Sequence, residues 1–362
     1  MAGSHFGRFF KVSTFGESHG EGLGVILDGV PPLLDLDVSD IQKDLDRRRP
    51  GQSAVTTPRK EADQVEILSG VFEGKTTGAP IALLIRNTNQ QSKDYSELKT
   101  VFRPGHADFS FWTKYGIRDH RGGGRSSGRE TAARVAAGAI AKKYLAHKGI
   151  QIIAYTKSVA DIQATRIEFG EIEKNPVRCP DPEKAKEMEA LIEKAKAEHD
   201  SLGGIIEAQI IGCPAGLGDP VFDKLDAVLS HALMSIGTIK GIEFGDGFES
   251  TRRKGSENND GFYHDGEKFR TTTNHAGGIL GGISTGEPII LRVAVKPASS
   301  IAKSQQTSDQ SGVSKEVKVE GRHDPCICPR AVPVIEAMSA IAILDAYLIQ
   351  SAIRPLEQKD PS

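Results

Sequence analysis

Apolar residues run in short blocks along the chain, and many of these blocks end in glycine-rich turns. The first two, FGRFFKV (6–12) and GLGVILDGV (22–30), are typical of β-strands because apolar and β-branched residues dominate them. The same pattern predicts strands in QVEILSGVF (64–72), APIALLIRN (79–87), IIEAQIIG (205–212), IKGIEF (239–244) and PIILRVAV (288–295).

Longer segments with helical periodicity lie between these strands. SDIQKDLDRRR (39–49) begins with a possible capping box of Ser39 and Gln42, and a second box, Ser127 and Glu130, precedes an alanine-rich helix over about 128–147. Asp181 as the N-cap and Pro182 in the first turn predict the start of another helix. The charged segment that follows carries one apolar stripe. A further helix is predicted over 221–236.

The segment 331–353 is long enough to cross a membrane. Glu336 and Asp345 interrupt it, and each carboxylate would cost about 2.5–3.5 kcal/mol at a bilayer centre. The segment is therefore predicted to be a buried helix, and no membrane partner is expected.

Pairs of neighbouring strands separated by helices predict an α+β architecture in which antiparallel sheets pack on helices. No change in composition forces a domain boundary, so residues 1–362 are expected to form a single domain. The polar segment 249–275 could be a lid or a partner-binding loop, and the sequence leaves both open.

Composition limits the possible functions. The formal net charge of −2 argues against a general polyanion-binding protein, so any basic site must be local. Four cysteines are too few for a disulfide scaffold in 362 residues, and MAGSHFGRFF has no apolar signal core. These features predict a reduced, cytoplasmic setting.

The segment DHRGGGRSSGRET (119–131) combines bare backbone with positive charge. Free N–H groups at the start of the following helix would lie beside Arg125 and Arg129, a setting that favours phosphate or carboxylate. It matches neither a Walker loop nor the dinucleotide-binding glycine pattern. A flexible turn with solvated arginines is the alternative.

Similar loops recur along the chain and favour the functional interpretation. Histidine, arginine, lysine or hydroxyl groups stand in glycine or proline turns in FGESHGEG (15–22), DRRRPG (46–51), VFRPGHAD (101–108), VKPASS (295–300) and EGRHDPC (320–326). We interpret them as one site for a polyanionic small molecule, assembled from many loops. For the three arginines 47–49, a structural role at a helix C-terminus is the competing explanation.

Three other interpretations were weighed. A nucleic-acid-binding module is disfavoured by the net charge, the 6% aromatic content and the lack of a recognised motif. A nucleotide-using kinase lacks its signatures. His323, Cys326 and Cys328 have the wrong spacing for a zinc site, so no metal is expected.

Seven motifs in order identify a resemblance. The chain resembles chorismate synthase in GESHGEGLGVILDGVP (16–31), DRRRPG, RPGHAD, GRSSGRETAARVAAGAI (124–140), NHAGGILGGISTG (274–286), KPASS and GRHDPC. The resemblance implies a β-α-β layered sandwich with helices between two antiparallel sheets, assembled as a homotetramer. It also implies conversion of 5-enolpyruvylshikimate-3-phosphate to chorismate and phosphate, with reduced FMN and no net redox change. This is the last step of the shikimate pathway to aromatic amino acids.

The resemblance also implies roles for individual residues. His19 corresponds to the acid that protonates the leaving phosphate, His106 to the group that stabilises the reduced flavin, and Asp324 to a proton acceptor. Implied substrate-binding positions are Ser18, Arg48 and Arg129. Implied FMN-binding positions are Arg125, Ser126, Ser127, Gly237, Thr238, Gly281, Lys296, Pro297, Ala298, Ser299, Ser300 and Arg322.

The sequence departs from the family pattern at three places. Gly237-Thr238 stands where Asn-Ala is frequent, Gly128 where alanine is usual, and Ala54 where bacterial relatives often have arginine. Ala54 removes one basic anchor for a nicotinamide nucleotide. NADPH is therefore expected at most as an indirect reductant.

Overall fold

The structure, a computed structural model, describes residues 3–51, 61–88, 99–319 and 323–353. The helices are α1 (Val38–Arg48), α2 (Asp108–Tyr115), α3 (Thr131–Ala146), α4 (Pro182–Ala197), α5 (Leu225–Met234), α6 (Gly255–Asn258) and α7 (Cys328–Ala352). Short 3-10 turns cover Gly124–Ser126, Gly128–Glu130, Phe169–Lys174 and Gly247–Arg252.

The strands of the first half are β1 (His5–Phe6), β2 (Lys11–Gly16), β3 (Gly22–Asp28), β4 (Val65–Ile67), β5 (Val71–Phe72), β6 (Lys75–Thr76) and β7 (Ile81–Arg86). Those of the second half are β8 (Gln151–Val159), β9 (Ile162–Gln163), β10 (Gly204–Ile211), β11 (Ile239–Phe244), β12 (Phe262–His264), β13 (Phe269–Thr271), β14 (Ile279–Leu280), β15 (Ile283–Ser284), β16 (Ile289–Val295), β17 (Ser304–Ser308) and β18 (Ser314–Lys318).

Two five-stranded sheets form the outer layers. Their strand orders are β1-β2-β3-β7-β4 and β11-β16-β10-β8-β9, and every pair is antiparallel. In β7 the side chains of Ile81, Leu83 and Ile85 are buried in alternation with more exposed neighbours. One face of the strand is therefore turned to the core, as a two-residue period requires.

Helices fill the space between the sheets. α3 packs on β3 and β7 of the first sheet, whereas α7 packs on β8 and β10 of the second, and the two helices contact each other. A Cβ atom at Gly138 would lie 2.3 Å from the Cβ of Ala337, so the alanine-rich α3 reaches α7 at a distance that larger side chains forbid. This layering confirms the expected α+β sandwich.

Two predicted strands are interrupted, and the boundaries were wrong there. The segment 6–12 breaks because the N–H groups of Arg8, Phe9 and Phe10 turn to the Asp345 carboxylate at 2.7–3.0 Å. The segment 64–72 breaks at Gly70, whose φ of +82° ends β4 before β5 begins.

The capping box of α1 was also placed wrongly. Asp37 is the N-cap: its carboxylate accepts from the N–H of Ser39 at 2.6 Å, and the Asp40 side chain accepts from the N–H of Asp37 at 3.0 Å. Gln42 instead accepts a hydrogen bond from the N–H of Val65 and so joins the helix to β4. The N-cap of α1 is therefore Asp37, two residues before the predicted Ser39.

α7 is long and apolar enough to cross a membrane, but most of it is buried inside the fold. Its two carboxylates have partners there. Glu336 forms ion pairs with Arg47 at 2.5 Å and with Lys142 at 2.7 Å, and Asp345 accepts the three N–H groups described above. The prediction of a buried helix is confirmed for the described residues.

The segment 249–275 is ordered by local contacts. It contains α6 and the β12–β13 hairpin, and the Asp260 carboxylate accepts from the N–H groups of His275 and Ala276 at 2.8 and 2.9 Å. These hydrogen bonds connect the middle of the segment to its C-terminal end.

Candidate active site

The turn between β2 and β3 carries Ser18 and His19. Both side chains are buried, and the Ser18 hydroxyl lies 3.1 Å from His19 Nδ1. Gly122 also approaches the imidazole: a Cβ atom at this position would lie 2.4 Å from His19 Cε1, and its φ is +100°. Only glycine fits there, so the glycine loop (residues 119–131) packs directly against the turn that carries His19, the histidine turn (residues 17–21).

The glycine loop is held by its own hydrogen bonds. The N–H of Gly123 donates to the Asp119 carbonyl at 3.1 Å, and the Ser126 hydroxyl donates to the Gly123 carbonyl at 2.7 Å. The Arg125 guanidinium donates to the Gly16 carbonyl at 3.1 Å and to the Thr14 hydroxyl at 2.8 Å. Arg125 therefore ties this loop to β2.

The predicted capping box after the loop was wrong in detail. The Ser127 hydroxyl accepts from the N–H of Arg129 at 3.3 Å and caps the 3-10 turn, while α3 starts only at Thr131. The Glu130 carboxylate is not available to cap because it pairs with Arg134, one turn onward, at 2.9 Å.

Arg48 and Arg129 converge on one carboxylate. Each donates to a different oxygen of the buried Asp63, at 2.7 and 2.5 Å, and Arg129 also lies 2.6 Å from Glu61. Burial, together with the nearby charges of Arg330 and Arg129, lowers the pKa of Arg48 to about 10, so it stays protonated at neutral pH. The structure brings two of the three predicted substrate-binding residues together and pairs both with carboxylates.

The loop with His106 and the loop after β16 lie side by side. His106 Nε2 is 2.6 Å from the Ser300 hydroxyl, and Lys296 donates to the Gly105 carbonyl at 2.8 Å and to the Ser299 hydroxyl at 2.5 Å. Burial and the charges of Arg103, Lys296 and His323 lower the pKa of His106 to about 4. His106 is therefore neutral at pH 7.

Thr238 adjoins Lys296 in a conformation unusual for a β-branched residue. Its φ is +81°, and its carbonyl accepts from the N–H of Lys296 at 2.9 Å. Among the described residues its hydroxyl has no hydrogen-bond partner, although it is buried. Strain and a free buried hydroxyl at one residue are features of ligand-binding positions.

Asp324 is fixed by an ion pair that the sequence did not reveal. Arg330, in the first turn of α7, binds the Asp324 carboxylate at 2.5 Å and donates to the Arg48 carbonyl at 3.2 Å. The only signal was an arginine six positions after the aspartate. This contact places Asp324 beside the Arg48 cluster.

The remaining predicted residues differ in whether they lie next to the site residues described above. The Ala298 carbonyl accepts from the Ser201 hydroxyl at 2.6 Å, next to Pro297, whereas Gly237 precedes the strained Thr238. Gly281 lies in the β14–β15 turn, and no described contact joins it to the other predicted residues. Arg322 and Ala54 lie outside the described residues.

A separate cavity of about 270 Å³ lies between the N-terminal segment, α5 and α7. It contains none of the predicted site residues, and its charged groups have partners: Arg8 pairs with Asp219 and Asp223, and Asp345 binds backbone N–H groups. His5, Arg8 and His231 of the cavity are exposed, whereas the loops hold the buried His19, Arg48 and Arg129, so the loops are the candidate active site. Within the described part of the chain, no group of three or more His, Cys, Asp or Glu side chains is arranged to hold a metal ion.

An α+β sandwich whose loops gather buried histidines, arginines and hydroxyls defines an enzyme for a small anionic substrate. The model of the chorismate synthase family matches residues 10–348. A chorismate synthase of Bacteroides fragilis is 53% identical over 348 residues, 95% of this chain and 97% of that protein. One from Synechocystis is 54% identical over 352 residues, 96% of this chain and 97% of the relative.

A solved structure agrees with these relatives. A crystal structure of chorismate synthase shares 35% of its sequence with this chain, covers 95% of it, is itself covered to 93%, and superposes with a TM-score of 0.76. The chain belongs to the chorismate synthase family. It is a carbon–oxygen lyase of the shikimate pathway.

Proposed function

We propose that this enzyme eliminates phosphate from 5-enolpyruvylshikimate-3-phosphate to give chorismate, in a reaction that requires reduced FMN. The C–O bond at C3 breaks and phosphate leaves, a hydrogen is lost from C6, and a new double bond forms, so that there is no net redox change. When bound, reduced FMN would supply electron density to this elimination and be regenerated. The observation that carries the proposal is the convergence of His19, Gly122 and the paired arginines in a member of this family.

The residues present fit a flavin phosphate and ring. Gly122, Gly123 and Gly124 have φ values of +100°, +89° and +55° and offer backbone without side chains. Lys296 supplies a cation, and the free hydroxyl of Thr238 supplies a polar contact. We assign the FMN-binding role to Arg125, Ser126, Ser127, Gly237, Thr238, Gly281, Lys296, Pro297, Ala298, Ser299, Ser300 and Arg322.

His19 is proposed as the acid that protonates the leaving phosphate. Its buried ring is held between the Ser18 hydroxyl and Gly122, which limits its rotation. Ser18, Arg48 and Arg129 are assigned to the anionic groups of the substrate. Because Asp63 already engages both arginines, they are held in place before the substrate arrives.

His106 and Asp324 complete the proposed set. His106, neutral at pH 7 by its lowered pKa, can donate one hydrogen bond toward a reduced flavin ring while its other nitrogen contacts Ser300. Asp324 is proposed as a proton acceptor, oriented by its ion pair with Arg330.

The family also supports a setting for the enzyme. We infer a single domain over 1–362, a homotetramer, and a cytoplasmic location without membrane or nucleic-acid partners. The location is supported by the four cysteines, which are buried and free of disulfides. NADPH is inferred only as an indirect reductant of FMN, since Ala54 replaces one basic residue.

The proposal is tested by titrating FMN with and without 5-enolpyruvylshikimate-3-phosphate while recording the flavin spectrum. We expect spectral changes that depend on the substrate. His19→Ala should keep them but lower turnover by about 10²–10⁴-fold, the usual contribution of a general acid. A flavin spectrum unaffected by the protein would contradict the proposed cofactor, and turnover of the variant near that of the wild type would contradict the role of His19.

A further inference from the structure

Asn87 follows β7 and touches two parts of the candidate site. Its amide nitrogen Nδ2 donates to the carbonyls of Glu17 and Gly20 at 2.9 and 2.8 Å, and these carbonyls flank His19 in the turn. Its amide oxygen accepts from Arg129 Nε at 2.6 Å. Its backbone N–H donates to the Glu21 carbonyl at 3.0 Å.

The orientation of this amide follows from chemistry alone. An arginine side chain can only donate, so the atom that faces Arg129 must be the oxygen. Carbonyl groups can only accept, so the atom that faces Glu17 and Gly20 must be the nitrogen. Each atom of the Asn87 amide thus meets the partner it requires.

We propose that Asn87 is a positioning residue that holds the His19 turn at a fixed distance from Arg129. This inference rests on the proposed function, in which His19 protonates the leaving phosphate and Arg129 binds the substrate. Gly122 packs against the imidazole of His19, and Asn87 holds the backbone on both sides of His19 in the sequence. Asn87 thereby fixes the position of His19, which protonates the leaving phosphate, relative to Arg129, which binds an anionic group of the substrate.

Other side chains cannot make the same contacts. Aspartate would keep the acceptor for Arg129 but would place an anionic oxygen against two carbonyl oxygens. Serine is too short to reach all three partners. Asn87→Asp therefore breaks the connection to the histidine turn while it preserves the connection to Arg129.

Asn175 is a matched control. Its amide nitrogen donates to the carbonyls of Glu171 and Cys179 at 2.9 and 2.8 Å, and its oxygen accepts from the N–H of Cys179 at 3.0 Å. None of these partners is a predicted site residue. Asn175→Asp therefore introduces the same repulsion in a loop outside the active site.

We expect Asn87→Asp to lower kcat, measured at saturating substrate, by about 10- to 100-fold, the scale of a misplaced catalytic group. KM for the substrate should rise as well, because the new carboxylate lies beside Arg129, which is proposed to bind the substrate anion. Asn175→Asp should lower the melting temperature but leave kcat within about twofold of the wild type. In a His19→Ala background, Asn87→Asp should have little further effect, because two changes that act through one group are not additive.

Three outcomes would overturn the proposal: a folded Asn87→Asp enzyme with wild-type kcat, an equal loss in the Asn175→Asp control, or a loss that multiplies fully with that of His19→Ala. If Asn87→Asp does not fold, Asn87→Ser is measured in the same way: kcat should again fall and the loss should again not multiply with that of His19→Ala, while KM should rise because Arg129 also loses its contact to the side chain. Hydrogen exchange of the 17–21 backbone should rise in Asn87→Asp and not in the control. This readout does not depend on turnover, so a wild-type enzyme that forms no chorismate would contradict the proposed function and leave the positioning test intact.

Discussion

At the scale of single residues, His106 shows how neighbours set a protonation state. An ordinary histidine titrates near pH 6.5, whereas burial, Arg103 and Lys296 lower the pKa of His106 to about 4. Between these two pH values, the His106 imidazole is protonated in the unfolded chain and neutral in the folded protein. The free energy of unfolding should therefore decrease as the pH falls from about 6.5 to about 4, and this contribution should be constant below that range.

This prediction is checked by NMR titration of the His106 imidazole and by unfolding curves of the wild type and His106→Gln across that pH range. The variant should lose part of the decrease. An imidazole of His106 that titrates near pH 6.5 would show that the loops do not desolvate it.

The candidate residues could be predicted from the sequence because glycine, histidine and arginine in turns are visible there. Their partners could not. Asp63 and Asn87 carry no motif, and they meet Arg129 because the antiparallel β4 begins beside the point where β7 ends. Arg125 illustrates the same limit, since the sequence suggested an anion ligand and the structure adds contacts to β2.

At the scale of elements, α7 depends on a buried charge network. Burial alone would raise the pKa of Glu336, but Lys142 and Arg47 lower it to about 2. Its contribution to stability is therefore present above its ordinary pKa of about 4.5 and is lost as the pH falls toward 2. The network joins α7 to α1 and α3.

Glu336→Gln should lower the free energy of unfolding by about 1.5–3 kcal/mol, because it removes a buried carboxylate that accepts charge-assisted hydrogen bonds from Arg47 and Lys142, which keep Glu173 and Asp44 as partners. Glu193→Gln, on the exposed face of α4, is the control and should change the free energy by less than about 0.5 kcal/mol. Chemical denaturation at pH 7 measures both. Equal effects of the two variants would mean that the network contributes nothing specific.

Helix and strand segments could largely be predicted from apolar periodicity, and the errors have physical causes. Predicted strands ended early where Gly70 takes a left-handed conformation and where Asp345 withdraws three N–H groups from pairing. Neither effect is visible in a local window, since Asp345 lies 335 positions from Phe10.

At the scale of the whole molecule, the layered α+β class could be predicted from the order of elements and from the family resemblance. The strand order β1-β2-β3-β7-β4 could not, because it depends on which sheet edge each later strand reaches. This order places β7 beside β3 and so brings Asn87 to the histidine turn.

We propose that the loops of this fold form one site for the elimination of phosphate with reduced FMN. The most direct measurement is chorismate and phosphate formation from 5-enolpyruvylshikimate-3-phosphate under anaerobic conditions, with chemically reduced FMN, oxidised FMN or no flavin. We expect equal amounts of both products with reduced FMN only, with the flavin still reduced at the end, and no turnover in air with FMN and NADPH alone. Comparable turnover without flavin or with oxidised FMN, or products in unequal amounts, would contradict the account.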